Sequence, residues 1–343
     1  MAHKFTGNFT QQEAIPLAGI EAAIKVMQHG RLHRYNVAQD EVAEAVLLEQ
    51  EFAAYVGAQY CLSIASGGYA LAAALRAVGI AQGDKVLTNA FTLAPVPGAI
   101  ANAGGVPVFV EVTENLVMDL DDLQAKIASS KARYLMLSHM RGHIVDMDAL
   151  MAICDAAGVL VIEDCAHTMG AHWNGVPSGR HGIVGCYSTQ TFKHINSGEG
   201  GLLITDDAQV MARATMLSGS YMLYESHRAG APSEVFNDIA LDTPNCSGRM
   251  DNLRAAILRP QLAALDAQGR KWNARYQRIE TGLQNTAGLR IIPRPKKEHY
   301  IASSFQFTLP DWNAQKVHDV QMRCAARGVE LKWFGADKPV GFT

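Results

Sequence analysis

The sequence lacks an excess of either charge: Lys and Arg total 30, Asp and Glu total 33, and the net charge is −3 over 343 residues. No basic surplus draws the chain to nucleic acid. Its only basic cluster, Arg294 with Lys296 and Lys297, lies among Pro293 and Pro295 and reads as a solvated loop. No apolar run is long enough to span a bilayer. The N-terminal Met1-Ala2-His3-Lys4-Phe5 lacks the apolar stretch of a secretory signal. No nucleic acid, no membrane and a cytoplasmic location are therefore expected. There is no G-x-G-x-x-G opening a helix, no G-x-x-x-x-G-K-[ST] and no H-E-x-x-H. Their absence weakens dinucleotide, P-loop and zinc-protease readings. Cysteine is sparse and scattered, at 61, 154, 165, 186, 246 and 324, as suits reduced thiols in a large core. Cys165, His167, His181 and Cys186 fit no standard zinc spacing, so no metal is expected.

What is present is a globular composition, 48% hydrophobic and 18% charged, ample for one large domain and a smaller one. Helical periodicity alternates with short β-rich runs. Gln11–His29 and Gln39–Val56 read as helices stopped by Gly30 and Gly57. Strands are predicted at Tyr60–Ile64, Lys85–Thr88, Val106–Val110, Tyr134–Leu137, Val159–Ile162, Gly185–Ser188 and Leu202–Thr205. Helices are predicted between them at Tyr69–Val78, Leu93–Ala103, 120–127 and 146–157. Alternation of this kind means βαβ crossovers and a mainly parallel sheet covered on both faces. Asp206-Asp207 caps a helix running to Leu217. After residue 250 the pattern changes to a long helix, Arg254–Arg278, then a strand near Ser304–Leu309 and a helix over Asn313–Arg327. The expected division is 1–250 as the large domain, with an N-terminal segment that packs on the small one, and 251–343 as a small α+β domain. The chain stops at Val340-Gly341-Phe342-Thr343 with no closing element, so an incomplete small domain is expected.

The chemistry concentrates in a few positions. Val159-Leu160-Val161-Ile162 ends in Glu163-Asp164, and Lys193 follows in Tyr187-Ser188-Thr189-Gln190-Thr191-Phe192-Lys193, before Gly198-Glu199-Gly200-Gly201. Pyridoxal 5'-phosphate chemistry needs a lysine to condense with the aldehyde and a carboxylate to keep the ring nitrogen protonated. A carboxylate at the C-terminal end of a parallel strand lies where open α/β sheets bind ligands, although an N-cap or a surface carboxylate fits Asp164 equally well. Apolar Phe192 and Ile195 would wall a pocket that depresses the Lys193 pKa, whereas an isolated lysine is ordinarily a surface residue. Ser66-Gly67-Gly68 stands between a strand and a helix, as a phosphate cradle or an ordinary βα turn. His167 could reach the cofactor's ring oxygen or be a satisfied core histidine. Ser188 could donate to the phosphate or be a small strand residue.

In order, Ser66-Gly67-Gly68-Tyr69-Ala70-Leu71, Asn89-Ala90-Phe91-Thr92, Glu163-Asp164-Cys165-Ala166-His167, Ser188–Lys193 and Gly198-Glu199-Gly200-Gly201 resemble the sugar aminotransferases of the DegT/StrS type. Val106–Val112, His139–Gly142, Asp146-Met147-Asp148, Arg249-Met250 and Ala255-Ala256 extend the resemblance over about residues 15 to 280. It implies fold type I of the pyridoxal phosphate enzymes, with a mainly parallel seven-stranded sheet sandwiched by helices. Lys193 and Asp164 would be catalytic. Ser66, Gly67, Gly68, Leu93, Asp164, His167, Ser188, Lys193 and Ser247 would hold the cofactor. Arg249, which in the family reaches the other subunit's site, and Tyr69 would meet substrate. A homodimer with shared sites is implied.

Three positions depart from the family. Its usual Ser-Gly-Thr turn ends here in Gly68, its stacking aromatic is Leu93, and the Asn two residues before the arginine is Ser247. All three touch cofactor grip, and Tyr69 is a candidate to compensate. The resemblance implies transfer of an amino group from glutamate or glutamine to a keto sugar, nucleotide-linked in the commonest cases. Gln190 also resembles relatives that aminate keto-cyclitols. Dehydrating relatives replace the lysine by histidine, and Lys193 argues against that branch. A non-catalytic binding or regulatory protein and an NAD-dependent oxidoreductase are the other classes, the second opposed by the missing glycine fingerprint.

Overall fold

The computed structural model describes residues 4–336. Val340–Thr343, on which the expectation of an incomplete small domain rests, lie outside the described residues. Seven strands form the main sheet: β1 (Tyr60–Ile64), β2 (Lys85–Asn89), β3 (Val106–Val110), β4 (Tyr134–Ser138), β5 (Leu160–Asp164), β8 (Val184–Ser188) and β9 (Gly201–Thr205). Their order is β1-β9-β8-β5-β4-β2-β3. Pairs from β8 through β3 are parallel, while β9 runs antiparallel to both β1 and β8. The mainly parallel seven-stranded sheet expected from the sequence is therefore the observed one.

Side-chain alternation along the strands explains the layers. Tyr134 and Met136 of β4 join Ile162, Leu203 and the alanine-rich α3 (Gly67–Ala77) on one face, with α4 (Pro95–Asn102) and α7 (Ala208–Ser218). Leu135 and Leu137 join Val161, α5 (Leu120–Ser130) and α6 (Met147–Ala157) on the other. Further along, Tyr187, Leu202 and Ile204 pack on α2 (Glu44–Val56) and α8 (Asn252–Leu283). Helix α1 (Leu17–His29) lies against α8.

Helix starts differ most from the sequence reading. α1 begins at Leu17, not Gln11, because Pro16 occupies the N-cap position and Gln11–Ile15 stay outside the helix. α2 begins at Glu44 rather than Gln39. Glu41 accepts hydrogen bonds from the Ala38 N–H and Arg31, folding 38–41 into a turn with Asp40 at φ 65°. α4 begins at Pro95, where a missing N–H does no harm. The stops are as expected: Gly30 and Gly57 take left-handed conformations after α1 and α2.

Helix α8, capped by Asp251, extends past both predicted ends and carries Pro260 within it. Its Ala255, Leu258, Leu262 and Leu265 belong to the core of the main sheet. Beyond it, β10 (Arg290–Ile291) pairs with β12 (Phe307–Thr308), and α9 (Ala314–Ala326) follows. The strand expected over Ser304–Leu309 is thus reduced to two residues. The sequence reading missed a three-stranded ribbon, in which β11 (Glu298–His299) joins β6 (His172–Trp173) and β7 (Val176–Pro177). Two-residue strands leave no periodicity to read. At the N-terminus, the Phe5 N–H donates to the Arg327 carbonyl, just past α9.

Candidate active site

The parallel register sets Ser138, the last residue of β4, beside Asp164, the last of β5. Ser138 Oγ donates to Asp164 Oδ2 at 2.9 Å, and the Ala166 N–H donates to Oδ1 at 3.1 Å. Asn89 ends β2 and fixes Ser138 in turn. Its Oδ1 accepts the Ser138 N–H, and its Nδ2 donates to the Ser138 carbonyl. Three strand ends thus hold one carboxylate at the sheet's C-terminal edge.

The next face of β5 carries Glu163, fully buried. It accepts N–H groups of Gly179, His181 and Gly182 and meets His139 Nε2 at 3.0 Å. Burial alone would raise its pKa, but His139 and the Gly182 N–H bring it below the usual value. His139, Glu163 and Cys165 converge within 4.8 Å. The four hydrogen bonds on Glu163 account for this cluster as a brace beneath Asp164.

Lys193 follows β8 on a loop closed by its own backbone. Lys193 N–H donates to the Gln190 carbonyl, Thr189 N–H to that of Gly200 and Thr191 N–H to that of Gly198. The left-handed Gly198 permits this return. Lys193 Nζ lies 3.2 Å from His167 Nε2. Burial lowers the lysine pKa, Arg141 adds to that, and Asp164 opposes it. Burial and the facing Lys193 hold His167 well below its ordinary value, so its ring is neutral and able to accept the lysine's hydrogen bond. Phe192 lines the cavity beside Lys193 but is 60% exposed, and Ile195 is buried. His194 is the buried neighbour instead, with its pKa pushed down to about 4 by burial and by Lys193. A cavity of about 310 Å³ opens beside Lys193, lined among others by Gln11, Glu13, His194, Gln268 and Trp272.

Ser66 is the N-cap of α3, its Oγ accepting the Tyr69 N–H at 3.1 Å. A methyl group added at Gly67 would lie 2.7 Å from Ser188 Cβ, and one at Gly201 would run into the Ser66 backbone. These glycines therefore bring the helix N-terminus, β8 and β9 together. Gly68 is open, with nothing nearer its missing Cβ than Pro95 at 3.8 Å. Leu93 is half-buried, next to a buried Thr92 hydroxyl that has no partner among the described residues. An orphaned hydroxyl, a helix N-terminus with space above Gly68, a buried lysine of lowered pKa and a braced carboxylate form a donor set that fits pyridoxal phosphate.

The side chains of the other expected residues have other partners, although the Arg249 backbone bridges to Ile64 at the end of β1. The Tyr69 hydroxyl donates to the Leu217 carbonyl, and its ring packs on Gly248, so it is not directed at the Gly68 turn. Ser247 is exposed and left-handed, its Oγ near Asn245 and Tyr221. Arg249 donates to the Gly219 carbonyl and lies over the Tyr221 ring. Sequence reasoning gave no role to Ser138, His139, His194 or Arg141. The motif His139–Gly142 could have pointed to two of them.

The sequence profile of the DegT/DnrJ/EryC1/StrS aminotransferases matches residues 18–336. A Micromonospora echinospora protein named as an L-glutamine:3-amino-2,3-dideoxy-scyllo-inosose aminotransferase is 32% identical over 287 residues, 82% of this chain and 66% of that protein. A pleiotropic regulatory protein of Geobacillus stearothermophilus is 34% identical over 239 residues, 68% of this chain and 60% of that one. The chain thus spans slightly under two thirds of these relatives' length. Among solved structures, DesV of S. venezuelae in complex with a ketimine intermediate superposes with a TM-score of 0.79 at 26% identity, over 95% of this chain and 81% of that one. Pyridoxal phosphate is the cofactor of this group of enzymes, and this chain belongs to the DegT/DnrJ/EryC1/StrS aminotransferase family.

Proposed function

We propose that the protein is an aminotransferase that moves an amino group from glutamate or glutamine to the ketone of a sugar or sugar-like ring. The observation that carries this reading is the Lys193 amine 3.2 Å from the neutral His167 ring, with its pKa lowered by burial and held up by Asp164. When bound, pyridoxal phosphate supplies an aldehyde to carry the amino group and a ring to take up electrons. Lys193 would take the proton from the donor's Cα as general base, a role that its lowered pKa favours. Asp164, fixed by Ser138 and the Ala166 N–H, holds a protonated ring nitrogen and stabilises the charge that develops. His167 orients the lysine amine. Ser66, Ser188 and the N–H groups of α3 hold the phosphate, with Gly67 allowing the close approach. Residues 1–250 are the proposed cofactor-binding unit, with the first half of α8 packed into its core, and the described residues after α8 belong to the smaller one.

The acceptor is a keto sugar, with a nucleotide-linked one as the first reading. A keto-cyclitol is the second, supported by the scyllo-inosose name of the Micromonospora relative. The regulatory name of the Geobacillus relative keeps a non-catalytic role as the third. A homodimer is part of the proposal. Tyr221, Met222 and Leu241 are exposed on the loop between α7 and α8, with Met222 at 89% and Leu241 at 98%, and such apolar side chains suit a subunit interface. Among the described residues no helix is long and apolar enough to cross a membrane, and we place the protein in the cytoplasm.

The test is isotope transfer. The protein is incubated with pyridoxal phosphate, amino-labelled glutamate or glutamine, and either scyllo-inosose or a nucleotide keto sugar. Label in one acceptor supports the reading and chooses between the first two. Consumption of neither donor, with cofactor bound, would overturn it in favour of the regulatory role.

A further inference from the structure

The turn Met140–Gly142 follows β4 and packs across the segment between Asp164 and His167. The His139 N–H donates to the Asp164 carbonyl at 3.1 Å. A Cβ at Gly142 would lie 3.1 Å from the His167 carbonyl, and the Gly142 carbonyl accepts from Arg294. On this turn Arg141 takes φ 57°, ψ 19°. A left-handed conformation costs a residue with a Cβ about 1–2 kcal/mol, and such strain clusters at ligand clamps. The side chain is half-buried, with its guanidinium carbon 5.9 Å from the centre of the Phe334 ring, which in turn packs edge-on against Phe91.

Among the described residues no carboxylate pairs with this guanidinium, and its buried Nε has no hydrogen-bond partner. Its charge is felt at both Lys193 and His167. The one carboxylate of this group, Asp164, is tied to Ser138 and Ala166. A half-buried cation left in this state calls for an anion from outside the chain.

We propose that Arg141 binds the α-carboxylate of the amino-acid donor. The inference rests on the aminotransferase reading above. In that reaction Lys193 works on the donor's Cα, and the group attached to that carbon and carrying a negative charge is the α-carboxylate. The carboxylate or amide carbon at the far end of glutamate or glutamine is three bonds from Cα. A planar guanidinium fork matches a carboxylate in two parallel hydrogen bonds. One arginine would then accept either donor, since both carry the same α-carboxylate.

The experiment uses the cofactor-loaded protein with Arg141→Gln and Arg141→Lys. Three quantities are read: KM for glutamate and glutamine in the donor half-reaction, KM for the keto acceptor, and the Kd of glutarate by calorimetry. Glutarate carries carboxylates but no amino group to transfer. In Arg141→Gln the donor KM and the glutarate Kd should rise about 10- to 100-fold, the loss of a charge-assisted pair. The rise should be smaller in Arg141→Lys, which keeps the charge and loses the fork. Acceptor KM should stay unchanged. Donor KM and glutarate Kd within about twofold of the parent, or a rise confined to the acceptor, would overturn the proposal. If Arg141→Gln does not take up cofactor, Arg141→Lys decides by the same two quantities. If the parent deaminates neither donor, the functional reading fails, and the glutarate titration still tests the anion site by itself.

Discussion

Gly67 and Gly68 are adjacent, both in the first turn of α3, and substitution should separate them. Alanine ordinarily favours a helix over glycine by about 1 kcal/mol in the interior, and by less in the first turn. At Gly68 the new methyl meets only Pro95 Cβ at 3.8 Å, an ordinary contact. Gly68→Ala should therefore be neutral or stabilising by about 0.5 kcal/mol. At Gly67 the methyl would lie 2.7 Å from Ser188 Cβ and 3.2 Å from both its Cα and Oγ. Ser188 cannot retreat easily, because it is the end of a buried strand paired with Gly201. Overpacking of this kind typically costs about 1–3 kcal/mol, so Gly67→Ala should lose about 1–2 kcal/mol after the propensity gain. The same push separates the Ser66 turn from Ser188, and the affinity for pyridoxal phosphate should fall about tenfold or more. Urea unfolding of the cofactor-free proteins and titration of cofactor by absorbance read the two effects. Equal stability and equal affinity in the two alanine variants would refute the packing argument and the phosphate assignment together.

Glu163→Ala removes a buried carboxylate that accepts three N–H groups and meets His139. It should lower stability by about 3–5 kcal/mol, as expected for a buried partner deleted from its network, and urea unfolding checks this. Ser138→Ala leaves the fold intact but frees Asp164 Oδ2, and should lower kcat about tenfold with little change in donor KM. Acid should destabilise the protein through its buried histidines. Burial holds His143 and His227 at about 3 and His194 at about 4 in the fold, whereas an unfolded histidine titrates near 6.5. Each depressed group stabilises the fold fully above pH about 6.5 and loses that contribution as pH falls toward its folded value, about 2 kcal/mol per group by pH 5. Urea midpoints between pH 8 and 5 should fall, and His227→Asn should flatten the slope. An unchanged midpoint over that range would contradict the burial argument.

Much of the sheet was legible because parallel strands buried on both faces leave uninterrupted apolar runs such as Val159–Ile162. Asp164 and Lys193 stood out in the sequence because one ends such a strand and the other lies on the loop after β8. Helix starts were less so. The apolar period of α1 and α2 continues into Gln11–Ile15 and Gln39–Ala43, and only Pro16 and the Glu41 turn decide against a helix there. The supports of the site were hidden for a different reason. Ser138 acts because β4 and β5 end in register, and Glu163 acts through N–H groups 16 to 19 residues away. Phe192 lines the cavity as read but stays exposed, and the burial around Lys193 comes instead from His194 and Ile195. Tyr69 looked free to grip the cofactor until its hydroxyl was found on the Leu217 carbonyl.

The central claim is that Lys193 is the residue that carries the cofactor. The most direct measurement is the visible absorption of the protein with pyridoxal phosphate, followed by borohydride and peptide mass spectrometry, before and after glutamate or glutamine. The account predicts a yellow band that a donor bleaches, cofactor mass fixed on the peptide bearing Lys193, and none fixed in Lys193→Ala. Cofactor fixed on another lysine, or no band in the parent protein, would contradict it.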